Sequence, residues 1–123
     1  MSGNHKSPLH KSFGYAFAGI VACIRQERNM RIHLTAAILV TAAGTLFRIS
    51  VTEWMACLIL FGLVMSLEMV NTALENVVDL VTLEQKPLAK KAKDAAAGAV
   101  LVSAVMAAII GLIIFLPKVF AVL

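Results

Sequence analysis

Three stretches of this 123-residue sequence stay apolar over about the distance needed to cross a bilayer, and that removes most folds from consideration. Backbone N–H and C=O groups in hydrocarbon must be satisfied within the chain, so runs of this kind form helices. With 60% hydrophobic and 15% charged residues, and a mean hydropathy of +0.88, the chain is more apolar than a soluble domain of its size. The predicted spans run over about 30–48, 53–83 and 92–117. The first is the weakest, with fourteen uninterrupted residues between His33 and Arg48. The second starts near Trp54 and is purely apolar to Leu67. The third runs from Ala95 to about Leu116, with Pro117 and Lys118 expected to end it. The expectation is one membrane domain over 1–123.

Residues 1–33 hold no clean apolar core with a small-residue cleavage site, so the start of the chain is expected to stay in the mature protein. Cys23 and Cys57 are isolated in apolar surroundings and read as reduced packing residues. Nine of the eleven basic residues fall in 1–31 or 84–94, and only Arg48 and Lys118 lie elsewhere. With three crossings, this places the N-terminus and the 84–94 connection in the cytoplasm and the C-terminus outside. The net charge of +4 reads as this positive-inside signal plus attraction to anionic headgroups, with no support for nucleic-acid binding. Before the first span, Ser7-Pro8 is a helix start signal, with serine as cap and proline in the first turn. Phe13, Phe17, Ile20, Val21 and Ile24 then recur on one face, which predicts an amphipathic surface helix over about 7–28. Gly14, Ala18 and Ala22 form a second, small-residue face.

The second span carries Glu68, Glu75 and Asp79. An ionisable side chain in a spanning helix is disfavoured by roughly 2.5–3.5 kcal/mol, so it persists where it binds an ion, moves a proton or meets a charged substrate. Offsets of 7 and 11 residues return to within about 20° of one direction, which puts all three acids on one face, flanked by Asn71 and Thr72. Measured from Trp54, Glu68 lies about 21 Å and Glu75 about 31 Å along the helix, against a core about 30 Å thick. Glu68 is thus just inside the cytoplasmic interface, Glu75 at its edge and Asp79 beyond it. Glu27, at the end of the surface helix, falls at the height where Glu75 emerges.

In the third span, Ala95, Ala99, Ser103, Ala107 and Gly111 make a row of small residues at four-residue spacing, suited to close helix packing within one chain or between copies. Three short spans enclose little polar space, so a homo-oligomer with sites between protomers is expected. Glu27 and Glu75 are suitable oxygen ligands for Mg²⁺, which takes one or two protein carboxylates with phosphate oxygens and water completing its shell. Glu68, one or two turns deeper, is placed to accept a proton from a lipid hydroxyl. Glu84-Gln85-Lys86 and the pair Lys93-Asp94, read as lying at the start of the third helix, offer charge and helix-terminal N–H groups to phosphates. These are the parts of a phosphoryl transfer from ATP to a lipid alcohol. A proton-coupled transporter built on Glu68 is a second reading, but the outer halves of the spans offer it no polar route. In a third, the stripe only holds helices together.

The string from Glu68 through Asn71 and Glu75 to Asp79, followed after a short loop by Ala92-Lys93-Asp94 and the run Ala95 to Leu101, closely resembles the signature of the small prokaryotic diacylglycerol kinase family. The likeness covers essentially the whole chain and is greatest to the Gram-positive branch, the undecaprenol kinases. No soluble-kinase phosphate loop is present. The resemblance implies a homotrimer in the bacterial plasma membrane. Each protomer would have three transmembrane helices and an amphipathic surface helix, with sites at the cytoplasmic interface between neighbours. It implies Mg- and ATP-dependent phosphorylation of undecaprenol, with diacylglycerol as the alternative acceptor. Glu68 then matches the catalytic base and Asn71 a supporting position beside it. Glu27 and Glu75 match metal ligands that also approach ATP, and Tyr15, Glu84, Gln85, Lys86, Lys93 and Asp94 match nucleotide-contacting positions. Where Gram-negative members carry an arginine near the N-terminus, this chain aligns near Pro8, with Lys6 and Lys11 as the neighbouring cations. Ala97 replaces a serine of that branch, and the tryptophans flanking its surface helix are missing.

Overall fold

The computed structural model describes residues 8–123, which form four helices: α1 (Leu9–Gln26), α2 (Arg28–Phe47), α3 (Val51–Val81) and α4 (Pro87–Val122). The last three are long and apolar enough to cross a membrane, so the chain is all-α with three candidate spans. At about 1.5 Å per residue, the 20 residues of α2 match a hydrocarbon core, whereas the 31 of α3 and 36 of α4 overrun it. Both overrun at the end of the bundle where α2 also starts.

Short joints set the register. At the α2–α3 turn, Ile49 N–H donates to the Gly44 carbonyl (3.1 Å) and Arg48 N–H to the Thr45 carbonyl (3.3 Å). This is a Schellman closure with Arg48 in the left-handed region at φ 52°. The following Ile49 is buried, which holds that conformation in place. Ser50 and Glu53 then form a reciprocal capping box at the start of α3. At the α1–α2 joint a single residue, Glu27, leaves helical geometry and caps both helices. The Arg31 guanidinium donates to the carbonyls of Ile24 (3.1 Å) and Arg25 (2.7 Å), satisfying the end of α1 with a positive charge.

Three expectations are corrected. Pro8 occupies the position before the first helical residue instead of the first turn; the Ser7 cap and Lys6 lie outside the described residues. The 84–94 segment is mostly helix, because Pro87 starts α4 at its first position and places Lys90, Lys91, Lys93 and Asp94 on it. Pro117 does not stop α4, which continues to Val122. Beside the proline, Lys118 Nζ donates to the Ile114 carbonyl (3.0 Å) and to Glu53 Oε2 (2.8 Å), which ties this turn of α4 to α3.

α3 packs mainly against α4, and α2 lies on another flank of α3. The buried seam of α4 is Ala96, Val100, Ser103 and Ile114, successive spacings of four, three and eleven that keep to one helix face. The small-residue row crosses this seam instead of following it: Ser103 is buried, whereas Ala95 and Ala99 stay exposed. Hydroxyls inside the spans bond to their own helices, as Thr41 does to the Ala37 carbonyl (2.7 Å) and Thr72 to that of Glu68 (3.1 Å).

Gly44 makes the α2–α3 turn possible at this closeness. A Cβ there would lie 2.8 Å from Trp54 Cη2 and 2.9 Å from Ile49 Cδ1. Gly44→Ala should destabilise the protein by about 1–3 kcal/mol through overpacking. Thermal unfolding in detergent should show a lower midpoint than the parent chain.

Candidate active site

Antiparallel pairing of α2 with α3 sets the start of one against the far half of the other. His33 lies 15 residues before Arg48 and Glu68 lies 18 after Ser50, about 22 and 27 Å of helix from the same turn. The two side chains meet there, with His33 Nε2 3.8 Å from Glu68 Oε2. Glu68 is only 2% exposed, the most deeply buried large side chain among the described residues. Its Oε2 has no hydrogen-bond partner, and neither does the Oδ1 of buried Asn71, one turn further on. Both residues line a cavity of about 260 Å³, walled otherwise by Asn29, Ile32 and His33 from α2 and by four apolar residues of α4. A buried acceptor without a donor is destabilising by about 1–3 kcal/mol, so two of them facing one cavity suit a ligand that brings a hydroxyl.

None of the other predicted residues lines this cavity. Glu27, half-buried at the α1–α2 elbow, and Glu75, half-buried on α3, both lie within electrostatic reach of Glu68. Glu75 Oε1 accepts from Asn71 Nδ2 at 3.2 Å. Asn71 thereby ties the Glu68 level to the Glu75 level. The stripe of acids divides as it ascends: Glu68 meets α2, while the exposed Asp79 meets α4 through Lys93 Nζ at 2.6 Å. Tyr15 on α1 is 46% exposed. Glu84 and Lys86 pair at 3.1 Å in the exposed α3–α4 turn, with Gln85 between them.

Lys93 and Asp94 do not act as a pair. Lys93 is bound to Asp79 and Asp94 to Lys90 at 2.5 Å. Both sit well inside α4, so the helix-terminal N–H groups expected beside them belong instead to the residues just after Pro87. Among the described residues, no hydrogen bond or ion pair joins Tyr15 or the 84–86 turn to Glu27 or Glu75. Sequence reasoning missed His33, treating it only as the polar limit of the first span. Counting helical distance from the α2–α3 turn would have placed it only within about one turn of the Glu68 level.

Among the described residues, no three His, Cys, Asp or Glu side chains converge as an all-protein metal cage. Glu27 and Glu75, each acting electrostatically on Glu68, are hard carboxylates of the kind Mg²⁺ takes when substrate phosphates and water complete its shell.

A family model described as prokaryotic diacylglycerol kinase matches residues 14–115. The chain belongs to that family. It is 51% identical over 120 residues to the undecaprenol kinase of Bacillus subtilis, covering 95% of this chain and 98% of that one. It is 44% identical over 107 residues to a diacylglycerol kinase of Synechocystis, covering 86% of this chain and 61% of that protein. A diacylglycerol kinase of Pseudomonas aeruginosa is 33% identical over 81 residues, 66% of either chain. The protein is a lipid kinase, and the branch it resembles is the Gram-positive one.

Cys23, on α1 outside the spans, reports on the charge around this site. Burial pushes its thiol up, and the charges of Glu27 and Glu68 push it further in the same direction. Less thiolate is then present at neutral pH than for a free cysteine. In a Cys57→Ser background, iodoacetamide should modify Cys23 slowly, and Glu27→Gln should speed the reaction at fixed pH. An unchanged rate would separate Glu27 from this neighbourhood.

Proposed function

We propose that this kinase transfers the γ-phosphate of ATP to the hydroxyl of undecaprenol at the cytoplasmic face of the bacterial plasma membrane. The observation that carries this reading is the pair of unpartnered buried acceptors, Glu68 Oε2 and Asn71 Oδ1, facing one apolar-walled cavity. A lipid alcohol entering from the bilayer brings a single donor to such a place. Glu68 takes the proton of that hydroxyl as its oxygen attacks phosphorus, and Asn71 orients the hydroxyl while holding Glu75. The choice of undecaprenol follows the Bacillus subtilis relative, which is matched over nearly its whole length.

Glu27 and Glu75 would hold Mg²⁺ in this reading, and the chemistry the ion would supply is neutralisation of phosphoryl charge. Tyr15, Glu84, Gln85, Lys86, Lys93 and Asp94 contact the nucleotide from α1, the α3–α4 turn and the first turns of α4. Lys93 then shares its charge between Asp79 and phosphate. The apolar face of α1, with Phe13, Phe17 and Val21 exposed, lies as an amphipathic helix on the inner leaflet. The N-terminus and the α3–α4 turn are cytoplasmic and the C-terminus is outside, as the basic residues imply. The whole chain acts as a single kinase domain. Three copies assemble as a homotrimer, the exposed Ala95 and Ala99 on α4 giving neighbouring helices a close approach.

Diacylglycerol is the second acceptor to test, because two relatives bear the name diacylglycerol kinase. Purified protein with radiolabelled ATP, Mg²⁺ and each alcohol in turn should label undecaprenol preferentially; preference for diacylglycerol would reverse the assignment. Glu68→Gln should lower turnover by about 10²- to 10⁴-fold with ATP affinity retained. Glu75→Gln should weaken Mg-dependent ATP binding, measured by calorimetry, and unchanged binding would remove it from the metal site.

A further inference from the structure

A buried base must be able to lose the proton it gains. Glu68 has a side-chain exposure of 3%, so its carboxylate exchanges protons only through the cavity it faces, whose α4 wall is apolar. Of the residues lining that cavity, Asn29 and Asn71 cannot take up a proton, and the α4 wall of Ala97, Val100, Leu101 and Ala104 offers no titratable group. His33 is the one remaining proton acceptor there. It comes from a different helix, stands 3.8 Å from the unpartnered Oε2, and its side chain is 20% exposed against 3% for Glu68. It therefore has one edge at the base and another toward the surroundings. The other ionisable groups within reach of Glu68 are Glu27, Glu75 and, on α1, Cys23. Carboxylates engaged by a divalent cation are poor proton acceptors, and imidazole is the side chain whose proton exchange falls nearest neutral pH.

We infer that His33 is the positioning residue through which Glu68 is reset in each catalytic cycle, receiving the proton from the carboxylic acid and passing it to water. The inference rests on the reading of Glu68 as base. In the transfer step the alcohol O–H bond breaks, its oxygen forms a bond to the γ-phosphorus, ADP leaves with the electron pair of the broken P–O bond, and Glu68 holds the proton. That proton then moves to His33 Nε2, giving an imidazolium that releases it to solvent and restores the neutral ring. The 3.8 Å separation exceeds a direct hydrogen bond, so the move runs through one bridging water or a small rotation of either side chain. The same imidazole fixes the direction in which the free carboxylate oxygen points.

The test uses full-length protein in nanodiscs with Mg-ATP and undecaprenol, comparing wild type, His33→Gln, His33→Ala and Glu68→Gln. Both His33 variants should lose about 10- to 100-fold in kcat, with KM for ATP unchanged. Added imidazole should restore activity to His33→Ala and leave Glu68→Gln unaffected. Near-normal kcat in His33→Gln would overturn the inference. So would a loss confined to KM, or a folded His33→Ala that imidazole does not rescue. If His33→Ala fails to fold, as judged by gel filtration and thermal unfolding, the kcat and KM of His33→Gln decide alone. A wild type that phosphorylates only diacylglycerol refutes the acceptor assignment, and the His33 comparison then runs with that alcohol. A wild type active alongside an equally active Glu68→Gln refutes the base and the relay together.

Discussion

A carboxylate buried among hydrocarbon is the constraint around which this small protein is arranged. Glu68 lies in the seam of α3 with one oxygen unsatisfied, and no amount of helix propensity compensates for that. The arrangement persists because the helix is locked at both ends. At one end Glu53 belongs to the capping box and also holds Lys118 across the bundle. At the other, Asp79 holds Lys93. Between these ties the apolar packing of α3 on α4 fixes the rotation of the helix, and with it the direction of the acidic stripe. The exposed Asp79–Lys93 pair contributes little to stability by itself, at about 0–1 kcal/mol, but it sets where α4 begins relative to the stripe.

The joints do as much as the spans. A three-residue turn between α2 and α3 leaves little freedom of register, because Schellman closure, buried Ile49, Gly44 under Trp54 and the Ser50–Glu53 box all require one geometry. That register brings His33 to Glu68. The one-residue elbow at Glu27 does a similar service on the other flank: Arg31 closes the end of α1, and Glu27 is left at the joint instead of along a helix face. The proposed chemistry of base, metal ligands and relay thus depends on backbone hydrogen bonds some distance from it.

Much of this was legible in the residues. Apolar runs bounded by Trp54, Arg48 and the basic segments announced three spanning helices, and the spacing of Glu68, Asn71, Glu75 and Asp79 announced one polar face with a family signature. Other features were not. That Lys118, next to Pro117, finds Glu53 is a contact between residues 65 apart in sequence. The separate partners of Lys93 and Asp94 were not readable, because neighbours on a helix point about 100° apart and each finds its partner elsewhere. The capping box at Ser50 was readable in principle from its serine and glutamate three apart.

What the sequence by itself determined is the solvent, the helices and the side chains able to carry charge in that solvent, because hydrophobicity and helical period are local properties of the chain. Only the tertiary structure decided which of those groups meet. Whether an acid in a helix is a paired ion, a packed curiosity or an unpartnered acceptor depends on what the neighbouring helices bring to its level. For Glu68 that is an imidazole from α2 and an apolar wall from α4, set there by the lengths of two turns.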